Sequence, residues 1–251
     1  MRAYPSDRIG GELRPRRRRQ KQKPHSVFQR LTRWLGVVLA SGLVLSLLLV
    51  APLRWINPPT TAFMLQDKSG RAPVQYQWVA WDDIGLALPL AVVASEDQKF
   101  ATHSGFDVES IRASVEKYSD GAPLRGASTI TQQVAKNLYL WPGKSFLRKG
   151  IEACFTVLIE LTWSKKRILE MYLNIVELGP GVYGVGAASE IFFGKAPHAL
   201  RDSDAALLAA VLPNPKQLLA SDPSPYVRQR QNWILGQMQG LRRDQWLKLL
   251  D

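Results

Sequence analysis

The stretch that decides the fold is RKGIEACFTVLIELTWSKKRILEMYLNIVE, residues Arg148–Glu177. Its apolar residues recur every three or four positions, which is the spacing that places side chains on one face of an α-helix. Ser164 lies between two such runs, where its hydroxyl can accept a hydrogen bond from the free N–H groups of a new helix. The stretch therefore predicts two consecutive amphipathic helices.

Segments on both sides of this stretch have the same helical character. Asp107 is placed to cap a helix that begins at Val108. Further along, one helix is predicted to open at Ser203 and to be closed by Pro213, and a last helix to begin near Tyr226. Few stretches alternate with a period of two, and none is punctuated as a hairpin. The folded part is therefore predicted to be mainly α, a single domain with long, glycine-rich connections.

Length and composition narrow the class of protein. The 251 residues are 46% hydrophobic and 22% charged, which is enough apolar material for one sizeable core and excludes wholesale disorder. The net charge is +12, but residues 1–33 contain 11 Lys and Arg against 2 Asp and Glu, whereas the rest contains 22 against 19. Because the body is close to neutral, these numbers argue against a nucleic-acid-binding domain with a basic face.

Twenty consecutive residues, Trp34–Leu53, carry no charge. A helix of that length spans about 30 Å, which is the thickness of the hydrocarbon core of a bilayer. A cleaved signal peptide has a shorter apolar stretch and a small-residue cleavage site, so an uncleaved membrane anchor is the preferred interpretation. The basic residues before it predict that the N-terminus lies in the cytoplasm and the folded domain outside. The predicted parts are a basic cytoplasmic tail (1–33), the anchor (34–53), a membrane-proximal linker (54–80) and a catalytic domain (81–251).

The single cysteine and the three histidines exclude two ways of stabilising a fold. One cysteine cannot form an internal disulfide framework, and Cys154 together with the scattered His25, His103 and His198 lacks the spacing of a zinc cluster. Because Cys154 lies in an apolar run, it is predicted to be a small buried side chain.

Three segments carry more polar side chains than packing requires. The first is residues 96–107, where Glu96 and Asp97 emerge from an apolar helix. A partly buried carboxylate suits base chemistry, and a capped helix end is the alternative. Because neighbouring residues on a helix point about 100° apart, at most one of the two carboxylates is expected to face inward.

The other two segments combine hydroxyls, amides and cations. Residues 126–137 begin as a Ser- and Thr-rich helix start, whose free N–H groups suit an anion such as phosphate, and an ordinary capping segment is the alternative. Residues 144–152 bring three cations before one carboxylate. Arg148 and Glu152 are four residues apart, so they form either a surface ion pair or part of a cationic cradle for a polyanionic leaving group. The aromatic loop 138–142 is either core or a membrane contact.

In this order, the motifs ED-x-x-F-x-x-H-x-G-x-D, G-x-STITQQ-x-x-KN and RK-x-x-E resemble those of the peptidoglycan glycosyltransferases, glycosyltransferase family 51. Two further blocks agree, KRILEMYLN at residues 166–174 and AALLAAVLPNP at residues 205–215. The stretch Trp141–Gly150 is similar to the monofunctional branch of the family, which has no transpeptidase domain.

The resemblance implies a mainly α, lysozyme-like glycosyltransferase domain with a smaller membrane-associated lobe, preceded by one N-terminal transmembrane helix. The implied reaction polymerises lipid II into β-1,4-linked glycan strands. In it, the 4-hydroxyl of a lipid II sugar displaces undecaprenyl pyrophosphate from the growing chain, with inversion at the anomeric carbon. No transpeptidase activity is implied.

By the same resemblance, Glu96 matches the catalytic glutamate that removes the proton of the attacking hydroxyl. Glu152 matches the family's second glutamate, which would orient cations or a divalent ion at the leaving group. The implied substrate-binding residues are Ser128, Thr129, Gln133, Lys136, Asn137, Lys144, Arg148 and Lys149. The sequence requires no cofactor and assigns no metal ligand, and the resemblance leaves room for Mg²⁺ or Mn²⁺ beside Glu152 and the pyrophosphate.

The implied partners are lipid II, the growing glycan chain and the membrane, with no nucleic acid, and proteins of cell-wall synthesis or division are further candidates. The implied location is the inner (cytoplasmic) membrane, with a single pass and the catalytic domain on the periplasmic side. A lysozyme-like lytic enzyme is one alternative, and it would need no cationic cradle, so Lys136, Arg148 and Lys149 argue against it. A non-enzymatic envelope scaffold is the other, and it would tolerate loss of Glu96 and Glu152.

Overall fold

The computed structural model describes residues 27–70, 73–119, 128–143 and 145–243, together with Trp246 and Leu250. The predicted substrate-binding residue Lys144 and most of the predicted basic tail lie outside these residues. The helices found in the described residues are α1 (Val27–Val50), α2 (Ala62–Leu65), α3 (Ala87–Glu96), α4 (Val108–Ser119), α5 (Ile130–Tyr139), α6 (Phe146–Thr162), α7 (Lys165–Ile175), α8 (Gly184–Phe193), α9 (Asp202–Val211) and α10 (Pro225–Arg243). The strands found there are β1 (Gln75–Tyr76), β2 (Glu177–Gly179) and β3 (Val182–Tyr183). The predicted mainly α fold is confirmed.

The first helix is the candidate membrane anchor. Residues 29–54 form a helical stretch that is long and apolar enough to cross a bilayer, with a mean hydropathy of 2.4. After Val50 the backbone tightens into a 3₁₀ turn, Ala51–Arg54, which has a proline near its start. The chain divides within α1 into two compact units, residues 1–43 and residues 44–251.

The second unit holds the end of this helix by hydrogen bonds to its carbonyl groups. The indole Nε1 of Trp163 donates to the carbonyl of Val50 (3.0 Å), and the hydroxyl of Tyr139 donates to the carbonyl of Leu49 (3.2 Å). The guanidinium of Arg167 donates to the carbonyl of Leu53 at 2.9 and 3.0 Å. The terminal carbonyls of a helix lack partners within the helix, so these side chains satisfy groups that would otherwise need water.

The core of the second unit is formed by amphipathic helices such as α5 and α7 together with α3 and α9, which are buried along most of their length. Ser164 caps α7 by accepting from the backbone N–H of Arg167 (3.2 Å), and the two amphipathic helices predicted around it are confirmed as α6 and α7. Helix α5 packs against α6 and α7, whereas α3, α9 and α10 pack against one another. The predicted cap Asp107 accepts from the backbone N–H of Ser110 (3.0 Å) at the start of α4.

A small three-stranded sheet is present where glycine-rich connections between helices were expected. Its order is β1-β3-β2, with β1 parallel and β2 antiparallel to β3. The turn between β2 and β3 contains Gly181, whose φ of 68° favours glycine. The expectation that no hairpin occurs is therefore wrong. The sequence pattern missed this hairpin because strands of two or three residues that are largely buried show no alternation of polar and apolar side chains. Strand β1 and helix α2 both lie within residues 54–80, the predicted linker.

Two details of the helices also differ from the predictions. Helix α9 begins at Asp202, one residue before the predicted Ser203, because the carboxylate of Asp204 accepts from the backbone N–H of Arg201 (3.2 Å) and fixes the start there. Cys154 is exposed, not buried. It belongs to an outward-facing apolar row on α6, here called the α6 stripe, which consists of Phe146, Leu147, Cys154, Val157 and Leu161.

Candidate active site

Glu96 is the last residue of α3, a helix whose first eight residues, Ala87–Ala94, include seven that form part of the apolar core. Its side chain is 15% exposed. One carboxylate oxygen accepts from the amide Nε2 of Gln133 on α5 (2.9 Å), and the other accepts from the hydroxyl of Ser95 (3.0 Å). Helix α10 contributes Arg230, whose Nη2 lies 2.8 Å from the Ser95 hydroxyl and 3.5 Å from the Glu96 carboxylate. Three helices therefore hold one carboxylate.

The orientation of the Gln133 amide is fixed by Tyr172. The hydroxyl of Tyr172 on α7 donates to the Gln133 side-chain oxygen (3.1 Å), so the amide nitrogen is turned toward Glu96. Tyr172 is fully buried, and this burial, with the carboxylates of Glu96 and Asp97 nearby, raises its pKa well above the usual value of 10.0. The phenol therefore stays protonated and remains a donor to Gln133.

Asp97 faces inward as well, which contradicts the expectation that only one of the two neighbouring carboxylates would. Its side chain is 2% exposed. The angle of about 100° between neighbouring helical side chains does not apply here, because Asp97 lies beyond the end of α3 with φ −161° and ψ 74°. Helical geometry therefore does not set the direction of its side chain. Its carboxylate accepts from the backbone N–H of Ile130 (3.0 Å) and from Nε2 of His103 (2.8 Å), whose Nδ1 accepts from the N–H of Gly105 (3.1 Å).

The first turn of α5 lies directly beside this pair. Thr129 caps the helix in a capping box with Gln132, and its hydroxyl also donates to the carbonyl of Gly105 (2.6 Å). Ser128, one residue earlier, accepts from the ammonium of Lys149 on α6 (3.1 Å). The helix start is thus an ordinary capping segment and, at the same time, part of the site.

Helix α6 supplies a charge cluster built around the buried carboxylate of Glu152. The carboxylate of Glu152 is 3% exposed, and it accepts from Nη1 of Arg148 (2.7 Å) on one oxygen and from the Lys149 ammonium on the other. The surface ion pair that the spacing allowed is not what the structure shows, because the Arg148 side chain is only 11% exposed. The Nε–H of Arg148 is buried and has no hydrogen-bond partner among the described residues.

Lys136, one turn beyond Gln133 on α5, completes the cluster. Burial lowers its pKa, the Glu152 carboxylate partly opposes this, and the cations Arg148 and Lys149 lower the pKa further. Its ammonium lies 5.3 Å from the centre of the Phe63 ring on α2. In the described part of the chain no carboxylate lies within ion-pair distance of Lys136, which leaves this cation open to an anionic ligand.

The predicted residues are thus brought together with two exceptions. Asn137 is buried, with 6% of its surface exposed, whereas Lys144 lies outside the described residues. Ser95, Tyr172 and Arg230 belong to the arrangement but were not among the predicted site residues. Arg230 lies 134 positions from Glu96, and its only sequence signal is a charge beside the buried face of α10.

Both oxygens of Glu152 accept hydrogen bonds from the side chains of Arg148 and Lys149. Hard cations such as Mg²⁺ take oxygen ligands, so a divalent ion beside Glu152 would share this carboxylate with the two side-chain cations. Within the residues that the structure describes, no group of three or more His, Cys, Asp or Glu side chains could hold a metal ion.

Comparison with known proteins agrees with this geometry. A family profile described as Transglycosylase matches residues 65–239. The chain is 50% identical over 212 residues to a protein of Pseudomonas syringae pv. tomato named biosynthetic peptidoglycan transglycosylase, a match that covers 82% of this chain and 90% of that protein. Proteins of the same name from Shewanella oneidensis (48% over 217 residues, 85% and 93% covered) and Pseudomonas aeruginosa (47% over 232 residues, 90% and 98% covered) are similar. The chain therefore belongs to the transglycosylase family, and it is a peptidoglycan glycosyltransferase.

Proposed function

We propose that Glu96 is the general base of lipid II polymerisation and that Lys136, Arg148 and Lys149 bind the pyrophosphate of the leaving group. The observation that carries this proposal is the placement of one carboxylate, held on both oxygens, next to a cluster of cations in which Lys136 has no carboxylate partner among the described residues. A base and an anion cradle are the two things that glycosyl transfer from a sugar pyrophosphate requires.

In the proposed reaction, the 4-hydroxyl of the acceptor sugar attacks the anomeric carbon of the donor. Its proton passes to the Glu96 carboxylate as the new C–O bond forms. The bond between the anomeric carbon and the pyrophosphate oxygen breaks, and the pyrophosphate leaves with the electron pair. Attack from the face opposite the leaving group converts an α linkage into a β linkage.

The cation cluster stabilises the charge that develops on the leaving group. Fixed cations in a site with little water are worth more than the same charges in bulk solvent, so no general acid is needed for so stable an anion. The role of Glu152 is to orient Arg148 and Lys149, because its carboxylate binds both. The Nε–H of Arg148, which has no hydrogen-bond partner in the described part of the chain, is a further donor toward an anion.

We further propose that α1 is a single-pass anchor of the inner (cytoplasmic) membrane, with the N-terminus inside and the catalytic domain on the periplasmic side. The support is the apolar stretch at residues 29–54 and the basic residues before it. An anchor keeps the site near substrates that are themselves held by a lipid chain. Proteins of cell-wall synthesis or division remain candidate partners.

The test is polymerisation of lipid II by the purified full chain, comparing the wild type with Glu96→Gln. We expect the variant to lose activity by about 10²–10⁴-fold, which is the range of a general base. Glu190→Gln changes an exposed carboxylate on α8 and serves as the matched control. Normal polymerisation by a folded Glu96→Gln variant would overturn the assignment.

The lytic alternative predicts a different product in the same experiment. A lysozyme-like enzyme would shorten finished glycan strands and leave lipid II unchanged. The clustered cations Lys136, Arg148 and Lys149 argue against it, because hydrolysis of a neutral glycosidic bond creates no pyrophosphate to bind.

A further inference from the structure

We propose that Trp233 of α10 is a stacking platform for a sugar ring of the peptidoglycan strand, and that the cavity it lines is a sugar subsite beside the base. The proposal rests on the proposed function, because it specifies how the same site holds its glycan. Trp233 lies outside the family motifs that the sequence contains.

The first observation is the cavity itself. It has a volume of about 300 Å³ and lies where the end of α3, the start of α4 and the residues before α5 meet α10. Glu96 and Trp233 both line it, so a ring bound against the indole shares one cavity with the base. A volume of this size accommodates one or two pyranose rings and is too small for the lipid.

The second observation is the exposure of the indole. Trp233 is 47% exposed, although its neighbour Ile234 is fully buried and α10 packs against α3 and α9. A large apolar side chain left open on a packed helix is informative only when a ligand surface surrounds it. Here the surroundings are a cavity that contains the proposed base.

The third observation is the chemistry of the opposite walls. The side chains that line them are mostly hydroxyls and carboxylates, among them Ser95, Asp107, Ser110 and Ser128. A pyranose ring has weakly positive C–H groups on its faces and hydroxyls around its edge. The C–H face matches the negative face of an indole, and the edge matches hydroxyl and carboxylate partners. This combination of one aromatic wall and several polar walls favours a sugar over a lipid chain.

The position of the Trp233 cavity relative to the charge cluster indicates the path that the substrate takes. The cavity is not lined by Lys136, Arg148 or Glu152, but it includes Ser128, whose hydroxyl accepts from Lys149. A substrate with its pyrophosphate at the cluster can therefore extend past Ser128 and bring a sugar to Trp233. Helix α10 then acts twice, since Arg230 binds Ser95 beside Glu96 one turn before the indole.

The experiment titrates a soluble peptidoglycan tetrasaccharide, free of lipid and pyrophosphate, into the full chain in detergent. Isothermal calorimetry compares the wild type, Trp233→Ala, Trp233→Phe and the matched control Asn232→Ala, an exposed neighbour on α10 that does not line the cavity. We expect Trp233→Ala to weaken binding by about tenfold, Trp233→Phe by less than about threefold, and Asn232→Ala to bind as the wild type does. Equal affinity of Trp233→Ala and the wild type, including no measurable affinity in either, overturns the proposal.

Two further measurements separate the possible sources of the effect. Lipid II polymerisation by the same variants reports which substrate uses the subsite: a raised KM for lipid II indicates the acceptor, and shorter products at unchanged KM indicate the growing strand. Binding to vesicles without lipid II tests whether the indole contacts lipid instead. Loss of vesicle binding by Trp233→Ala with unchanged glycan affinity would make the indole a lipid contact and would overturn the proposal. A wild type that binds the tetrasaccharide but makes no polymer would contradict the proposed function while leaving the subsite intact.

Discussion

At the scale of single residues, the proposed base Glu96 is held by a neighbouring side chain, Arg230, that need not touch the substrate. Arg230 donates to the Ser95 hydroxyl (2.8 Å) and approaches the Glu96 carboxylate (3.5 Å). Because a change of even a fraction of an ångström at a reacting group is costly, we regard Arg230 as a positioning residue. Its effect should appear in kcat and not in KM.

We therefore expect Arg230→Met to lower kcat by about tenfold or more while KM for lipid II changes by less than about threefold. Arg230→Lys should recover part of the loss, because an ammonium can reach one of the two partners but not both. The measurement is steady-state polymerisation, with thermal unfolding as the check on folding. An equal change of KM and unchanged kcat would instead make Arg230 a substrate contact.

Lys136 gives the site a predicted pH dependence. Burial lowers its pKa below the ordinary value of 10.5, with Arg148 and Lys149 acting in the same direction and Glu152 and Glu96 opposing. In the proposed mechanism the ammonium form binds pyrophosphate, so the contribution of Lys136 to activity is full below the lowered pKa and is lost as the pH rises through it. In kcat/KM, which reports the free enzyme, the alkaline limb should fall at a lower pH than for an ordinary lysine.

Lys136→Arg is the variant that tests this assignment, since a guanidinium stays charged throughout the range. We expect its alkaline limb to move to higher pH even if its maximal rate is reduced. Lys195→Arg replaces a lysine that is paired with Asp204, and it should leave the profile unchanged. If the alkaline limb of the pH profile does not move in Lys136→Arg, the group that titrates there is not Lys136.

At the scale of elements, the close approach of α8 to the segment after β1 requires a glycine. A Cβ added at Gly186 would lie 2.3 Å from the carbonyl oxygen of Gln77 and 2.8 Å from a methyl carbon of Val79. Because the nearer atom belongs to the backbone, the segment has to move. We expect Gly186→Ala to destabilise the protein by about 2 kcal/mol, measured as a lower midpoint of thermal unfolding in detergent.

The matched control for this prediction is Gly236→Ala on α10, where an added Cβ meets no atom within 4 Å. Alanine favours the helix, so this variant should be as stable as the wild type or more stable by about 0.5–1 kcal/mol. If both variants lose the same stability, close packing at Gly186 is not the cause.

The elements also show what a sequence can and cannot predict. Helices α6 and α7 were predictable because their apolar spacing and the Ser164 cap are local signals. The β2–β3 hairpin was not, because its strands are too short to show a period. The exposure of Cys154 was missed because an apolar run on a helix covers more than one face, and only packing decides which face is buried. In the site, Glu96, the cations and Tyr172 all lie within the family motifs, but the contact of Tyr172 with Gln133 and that of Arg230 with Glu96 join distant segments and could not be read from the sequence.

At the scale of the whole molecule, the α6 stripe lies on the side of its helix opposite the charge cluster. Arg148 and Glu152 are on the buried face, whereas Phe146 is fully exposed and Leu161 is 77% exposed on the other. An apolar surface of this kind on a water-soluble domain is a liability, but at a bilayer it can rest among the lipid headgroups. The same helix would then bind pyrophosphate on one face and contact the lipid surface on the other.

We expect the double variant Phe146→Ser with Leu147→Ser to lose about tenfold in polymerisation rate when lipid II is embedded in vesicles, because the helix no longer contacts the bilayer. In detergent micelles the rate should match that of the wild type, since the micelle brings enzyme and substrate together without a bilayer surface. Ile191→Ser, an exposed apolar change on α8, is the matched control and should change neither rate. Equal losses in vesicles and in detergent would mean that the substitutions act on the site or the fold, and equal rates in both would mean that the α6 stripe makes no lipid contact that matters for turnover.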